Sequence, residues 1–156
     1  MIMFAKCKIR NIIILLFGII QFSSLSYANC TINTPAISFA AYDFISISAN
    51  DSSSQLSILC DSDIPYAVKM SAGLNASGDY SQRHMRSAQD GTPLYYNLYL
   101  DAGYSQIWGD GRGFSSFYQG LSSGLPVILP LYGRIPAKQI VSPGVYTDSV
   151  VITIEW

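Results

Sequence analysis

The chain ends on a strand. Residues 146–156, YTDSVVITIEW, read as a β-strand that runs to the C-terminal carboxylate with no turn signal after it. Alternation puts Val150, Ile152, Ile154 and Trp156 on one face and Val151, Thr153 and Glu155 on the other. A sheet normally tucks such a strand between neighbours or blunts its edge. An earlier strand can pair with one edge of it, but nothing follows in the chain to cover the other. The ending therefore points to a fold that takes a strand from another chain.

The beginning reads differently. Lys6, Lys8 and Arg10 form a basic start, residues 12–20 (IIILLFGII) a short apolar core, and Ser26-Tyr27-Ala28 a small-residue cleavage site. This is the pattern of a secretory leader over residues 1–28, with cleavage before Asn29. The competing reading is a membrane anchor, for which the apolar run is short. The mature chain is then residues 29–156, one domain with a sizeable core. Six basic and all ten acidic residues lie in it, a net charge of −4, which argues against nucleic acid. Low charge, many Tyr, Ser and Gly residues and no long helical period indicate an all-β exported protein.

Cys7 leaves with the leader, and Cys30 and Cys60 remain. An even pair in an exported domain most simply forms one disulfide. Closing a loop of about 30 residues contributes roughly 3–4 kcal/mol in the chain-entropy model. Metal ligation by the same pair lacks further ligands.

Six or seven strand candidates follow: 31–33 with 37–44, broken by Pro35; 55–60; 66–72; 94–100, with Leu94, Tyr96, Leu98 and Leu100 on one face; 127–132, which Pro130 demotes to an edge or bent strand; and the terminal strand. Turn signals separate them at Asn50-Asp51, 61–65, 73–78, Asp90-Gly91, 109–113, 120–126 and Pro143-Gly144. The count comes out at or just below the roughly seven strands of an immunoglobulin-like sandwich.

Catalytic signatures are missing. The single histidine, His84, reads as a solvated loop residue, and no HExxH, GxSxG or phosphate-loop motif occurs. The glycines at 109–113 lack the Lys-Ser/Thr pair of a phosphate loop and read as a hairpin turn. Asp61 and Asp63 are two carboxylates without an oxygen cage, so a turn is favoured over a calcium site. No cofactor is expected. By parity Tyr96 points inward while Tyr95 and Tyr99 share the other face, as sheet packing or as a carbohydrate platform. The uncharged loop 121–131 is a candidate sticky surface, or a flap folded over the core.

Several segments taken in order resemble one family. They are Cys30 near the mature start, CDSDIPY from Cys60, YNLYLDAGYSQIWGDG from Tyr96, VILPLYGRIP from Val127 and PGVYTDSVVITIEW from Pro143; the Gly144, Tyr146, Asp148 spacing is the most specific. Together they resemble the spore coat protein U domain, shared with pilin subunits of archaic (Csu-type) chaperone–usher pili. The resemblance implies an incomplete immunoglobulin-like sandwich lacking its last strand. A periplasmic chaperone lends that strand in transit, and a neighbouring subunit replaces it at an outer-membrane usher, a form of β-strand addition. Val150, Ile152, Ile154 and Trp156 then face the cleft beside the missing strand. Subunits within a fibre carry a donor segment ahead of the first cysteine, whereas here only Asn29 precedes Cys30. The expectation is an exported fibre or coat component that accepts a strand and is poorly equipped to donate one, at a fibre end or in an accessory position. The alternative is a free-standing secreted sandwich that binds carbohydrate or another surface ligand.

Overall fold

The computed structural model describes residues 2–8, 28–34 and 36–156. The apolar run at 12–20 and most of the 26–28 motif, read from the sequence as a leader, lie outside the described residues, as does Pro35. Thirteen strands follow one another among the described residues: β1 (Ile2–Lys8), β2 (Cys30–Asn33), β3 (Asn50–Cys60), β4 (Pro65–Met70), β5 (His84–Ser87), β6 (Pro93–Tyr95), β7 (Asn97–Tyr99), β8 (Ile107–Trp108), β9 (Ser115–Ser116), β10 (Tyr118–Leu121), β11 (Val127–Ile135), β12 (Tyr146–Thr147) and β13 (Ser149–Glu155). One 3₁₀ turn, Tyr80–Gln82, interrupts them.

They form three sheets, ordered β1-β13-β4-β10, β2-β3-β11-β7-β8-β9 and β12-β5-β6. Pairing is antiparallel except for β1 with β13 and β8 with β9. The apolar faces of the two larger sheets merge in one core. Tyr66, Val68, Met70, Val150, Ile152 and Ile154 come from the first, and Leu56, Ile58, Leu98, Leu129 and Leu131 from the second. Each such side chain contributes about 1.5–3 kcal/mol relative to exposure. Trp108, wholly buried, crosses between the sheets and donates its indole N–H to Val68 O at 3.0 Å. The architecture is an all-β, immunoglobulin-like sandwich with curled sheets.

Several sequence expectations change in detail. Residues 37–44 form no strand, and the Asn50-Asp51 turn is the start of β3, which runs eleven residues. The strand expected at 94–100 is two: β6 joins the small sheet and β7 the large one, with Tyr96 buried at the switch. Pro130 lies in a strand flanked on both sides, yet the ladder to β7 covers only Tyr132–Arg134, so its missing N–H costs no bond there. The glycine segment 109–113 is no hairpin turn, because the strands it joins run parallel. His84 opens β5, partly buried, with its ring 5.4 Å from that of Tyr95.

Candidate functional site

The terminal strand is a full alternation in space as in sequence. Val150, Ile152 and Ile154 are 0–2 % exposed, and Val151, Thr153 and Glu155 between them are partly exposed. Trp156 is partly buried against the core. One edge of β13 is used along its length. Ile152–Glu155 pair with β4, and Ser71 N donates to Val151 O (2.8 Å) and Leu74 N to Ser149 O (2.9 Å). On the outer face Lys69 Nζ meets Glu155 at 2.6 Å.

The other edge does not stand open in this chain. β1 runs parallel to it, from Ile2 beside Ser149 to Lys8 beside Glu155. Sequence reasoning left that edge bare and the chain's start outside the fold. The physical reason for the difference is that a row of unpaired N–H and C=O groups accepts any extended backbone that reaches it.

Asp148 breaks the terminal segment into β12 and β13. Its carboxylate is buried and accepts from Leu74 N (3.1 Å), Asn75 Nδ2 (3.0 Å) and Tyr96 Oη (2.7 Å). Gly73 lies so close, at φ +95°, that a Cβ there would meet Asp148 Oδ2 at 2.2 Å. Burial and the carboxylate beside it push the Tyr96 phenol far up. Behind this network Arg83, fully buried, donates to Asn97 Oδ1 (2.8 Å), Ser71 O (2.6 Å) and Trp108 O (2.7 Å), and its burial lowers its affinity for the proton. Tyr146 Oη reaches back to Ser142 O at 2.6 Å. That is the geometry of the tyrosine corner found at the start of a late strand in immunoglobulin-like sandwiches.

Upstream of β13 a slot of about 430 Å³ opens, lined by residues 37–42 and 141–147 together with Met85, Leu94 and Ile135. Tyr146 and Thr147 belong to its lining, so the slot meets the start of the terminal strand. The 37–42 wall is held by side chains rather than a ladder. Tyr42 Oη donates to Pro136 O (2.9 Å) and accepts from Gln139 N (2.8 Å), and Asn50 Nδ2 donates to Ala40 O (3.0 Å). Gly133 makes room for it, since a Cβ there would come within 2.7 Å of both Ile37 and Phe39.

At the opposite end Cys30 and Cys60 form a disulfide between directly paired residues of β2 and β3. Next to it Asn29 N donates to Asp61 Oδ1 (2.8 Å) and Asp61 N to Asn29 O (3.1 Å), while Trp156 Nε1 donates to Ala28 O (2.9 Å). Tyr95 is exposed, but Tyr99 packs edge-on against Tyr104, whose ring is covered by the Arg134 guanidinium at 3.6 Å. The stretch 121–131 is mostly strand; Leu121, Leu125 and Ile128 are exposed while Leu129 and Leu131 are core.

The sequence reading brought Val150, Ile152 and Ile154 to one buried face and paired the cysteines. It missed Arg83, counted there only among the basic residues, and the slot. The Gly-x-Tyr-x-Asp spacing was the available signal for the Tyr146 corner and the Asp148 anchor.

The family model for the Spore Coat Protein U domain matches residues 16–153. "Protein U" of Myxococcus xanthus is 42% identical over 72 residues, 46% of this chain and 39% of that protein. Among solved structures, a chain of the CsuC–CsuE chaperone–tip adhesion subunit pre-assembly complex, from archaic chaperone–usher Csu pili of Acinetobacter baumannii, superposes with a TM-score of 0.60. It is 20% identical, and the match covers 83% of this chain and 40% of that one. The present chain thus spans about two-fifths of each of these relatives. The structural likeness concerns the fold.

Proposed function

Since the chain belongs to the Spore Coat Protein U domain family, we propose that it is an exported structural subunit of a surface fibre or coat, assembled by donation of a β-strand to the edge of β13. The observation that carries this reading is the edge itself. Among the described residues, a seven-residue strand with a wholly buried inner face is paired on its second side by Ile2–Lys8, a segment that falls within the span read from the sequence as a leader. On the leader reading residues 1–28 are removed, and that edge of β13 is then left without its partner. A donated strand supplies main-chain hydrogen bonds along β13, and its alternate side chains fill the apolar groove beside Val150, Ile152, Ile154 and Trp156. Burying four or five such side chains at roughly 1.5–3 kcal/mol each stabilises a sandwich that lacks its own last strand.

By this reading the partners are a periplasmic chaperone, an outer-membrane usher and a neighbouring subunit, and the route leads through the periplasm to the cell surface. With cleavage before Asn29 a single residue precedes Cys30, which suits a subunit that accepts without donating, at a fibre end or in an accessory place. The role is structural and needs no catalysis or cofactor.

The test is to export residues 29–156 to an oxidising periplasm without partners. Aggregation or degradation, cured by a co-expressed cognate chaperone, is the expected result. A sharp, reversible thermal transition of the lone monomer would overturn it in favour of a free-standing binding module.

A further inference from the structure

Asn29, where the sequence reading places the start of the mature chain, is held through both its backbone nitrogen and its carbonyl. Its backbone nitrogen is already hydrogen-bonded to the Asp61 carboxylate at 2.8 Å, and its carbonyl receives Asp61 N at 3.1 Å. Ser62 Oγ donates to the same carboxylate oxygen at 3.2 Å and so orients it. The Cys30–Cys60 disulfide, one residue along on each strand, holds both partners in register. A neutral amide needs no such carboxylate. Asp61 is the charged side chain bonded there, while Trp156, just past the end of β13, turns its neutral indole toward Ala28 O.

We propose that Asp61 is the docking group for the α-ammonium that leader removal creates at Asn29. Resting on the leader reading above, the step is peptide hydrolysis by a leader peptidase. Water adds across the Ala28–Asn29 bond, the C–N bond breaks, hydroxide stays on the Ala28 carbonyl carbon and the proton goes to the Asn29 nitrogen. At neutral pH that nitrogen takes up a further proton and becomes a cation at a distance already suited to a charge-assisted bond. Processing thus turns a neutral hydrogen bond into an ion pair. It fixes the start of the mature chain against the disulfide instead of leaving it as an arm able to reach a neighbour. It also removes the acceptor of Trp156 Nε1, which leaves that indole N–H available to backbone entering along β13.

The experiment uses the exported chain as isolated with its partners. Mass measurement and N-terminal sequencing first establish its start. The rate of α-amine acylation is then followed from pH 6 to 10 in the wild type, in Asp61→Asn and in Asp63→Asn. The expected result is a start at Asn29 and a wild-type profile displaced by roughly half to one pH unit above the ordinary α-amine value of about 8. The displacement should disappear in Asp61→Asn and persist in Asp63→Asn. The sign follows from the pairing: the carboxylate favours the ammonium, so the amine loses its proton later. Identical profiles from a chain that does begin at Asn29 would overturn the docking role alone. A start elsewhere would overturn the leader reading and the docking with it.

Discussion

With β1 set aside, the two outer strands of the four-stranded sheet are β10 and β13, and they differ in kind. The β10 edge is four residues long, half exposed, and carries Gly120. Its end is tied down by side-chain chemistry: Ser122 N donates to Ile64 O, Ile64 N to Ser122 Oγ, and Ser122 Oγ to Ser62 O. Short, tethered edges of this kind offer little template for another chain. The β13 edge is seven residues long, perfectly alternating and backed by three fully buried aliphatic side chains. It carries no proline or bulge, and along Ser149–Glu155 its only charge is the ion-paired Glu155 on the outer face. One strand is short and tethered at its end; the other, on the function proposed above, is the one that takes a donated strand.

The sharpest way to break the contrast is Ile154→Asp. A carboxylate at a 2 % exposed position has no cation to meet it, so a loss of at least about 4 kcal/mol is expected. Assembly of the exported subunit, followed by native gel or sedimentation, should vanish; normal assembly of this variant would place the pairing edge elsewhere.

Asp148→Ala comes next. It strands three donors, Leu74 N, Asn75 Nδ2 and Tyr96 Oη, and leaves buried Arg83 without its nearest compensating carboxylate. The expected cost is about 3–5 kcal/mol in denaturant unfolding. Asp148→Asn should recover part of it.

Cys30→Ser should cost roughly 3–4 kcal/mol. It should loosen the Asn29–Asp61 end while leaving the slot end intact, which amide hydrogen exchange can resolve. A loss under about 1 kcal/mol would mean that the bridge does little in the folded protein.

The β10 side of the sheet rests on Tyr66 of β4, whose phenol burial pushes up to about 12. A folded value above the ordinary 10 means full stability below pH 10 and loss as pH rises toward 12, because the unfolded chain ionises first. The loss amounts to about 1.4 kcal/mol per pH unit for each such phenol. Tyr66→Phe should flatten that part of the alkaline unfolding curve, and an unchanged curve would assign the alkaline loss to the other raised phenols, Tyr80 and Tyr96 foremost.

The smallest effect belongs to Gln119→Lys on the exposed face of β10. A change within about 0.5 kcal/mol and unaltered assembly are expected. A large effect here would erase the distinction between the two edges.

How far these features were legible can be followed residue by residue. Period-two alternation placed Val150, Ile152 and Ile154 together correctly, because a strand's parity is a local property that needs no partner. The same reasoning ran too far at 94–100, where alternation continues through Tyr96 although the chain changes sheets there. It also drew a strand at 37–44, where the backbone bonds to side chains instead of a ladder. Arg83 was invisible as a buried residue because nothing in its polar surroundings, SQRHMRS, marks it as interior.

The sequence by itself determined the all-β class, the cysteine pairing, the buried face of the terminal strand and the family resemblance. These follow from periodicity, composition and motif spacing, which survive in one dimension. Only the tertiary structure decided what pairs with the second edge of β13, where the slot lies, and how Arg83 and Asp148 are buried. Those depend on contacts between residues dozens of positions apart, and long-range contacts leave no period in the chain to be read.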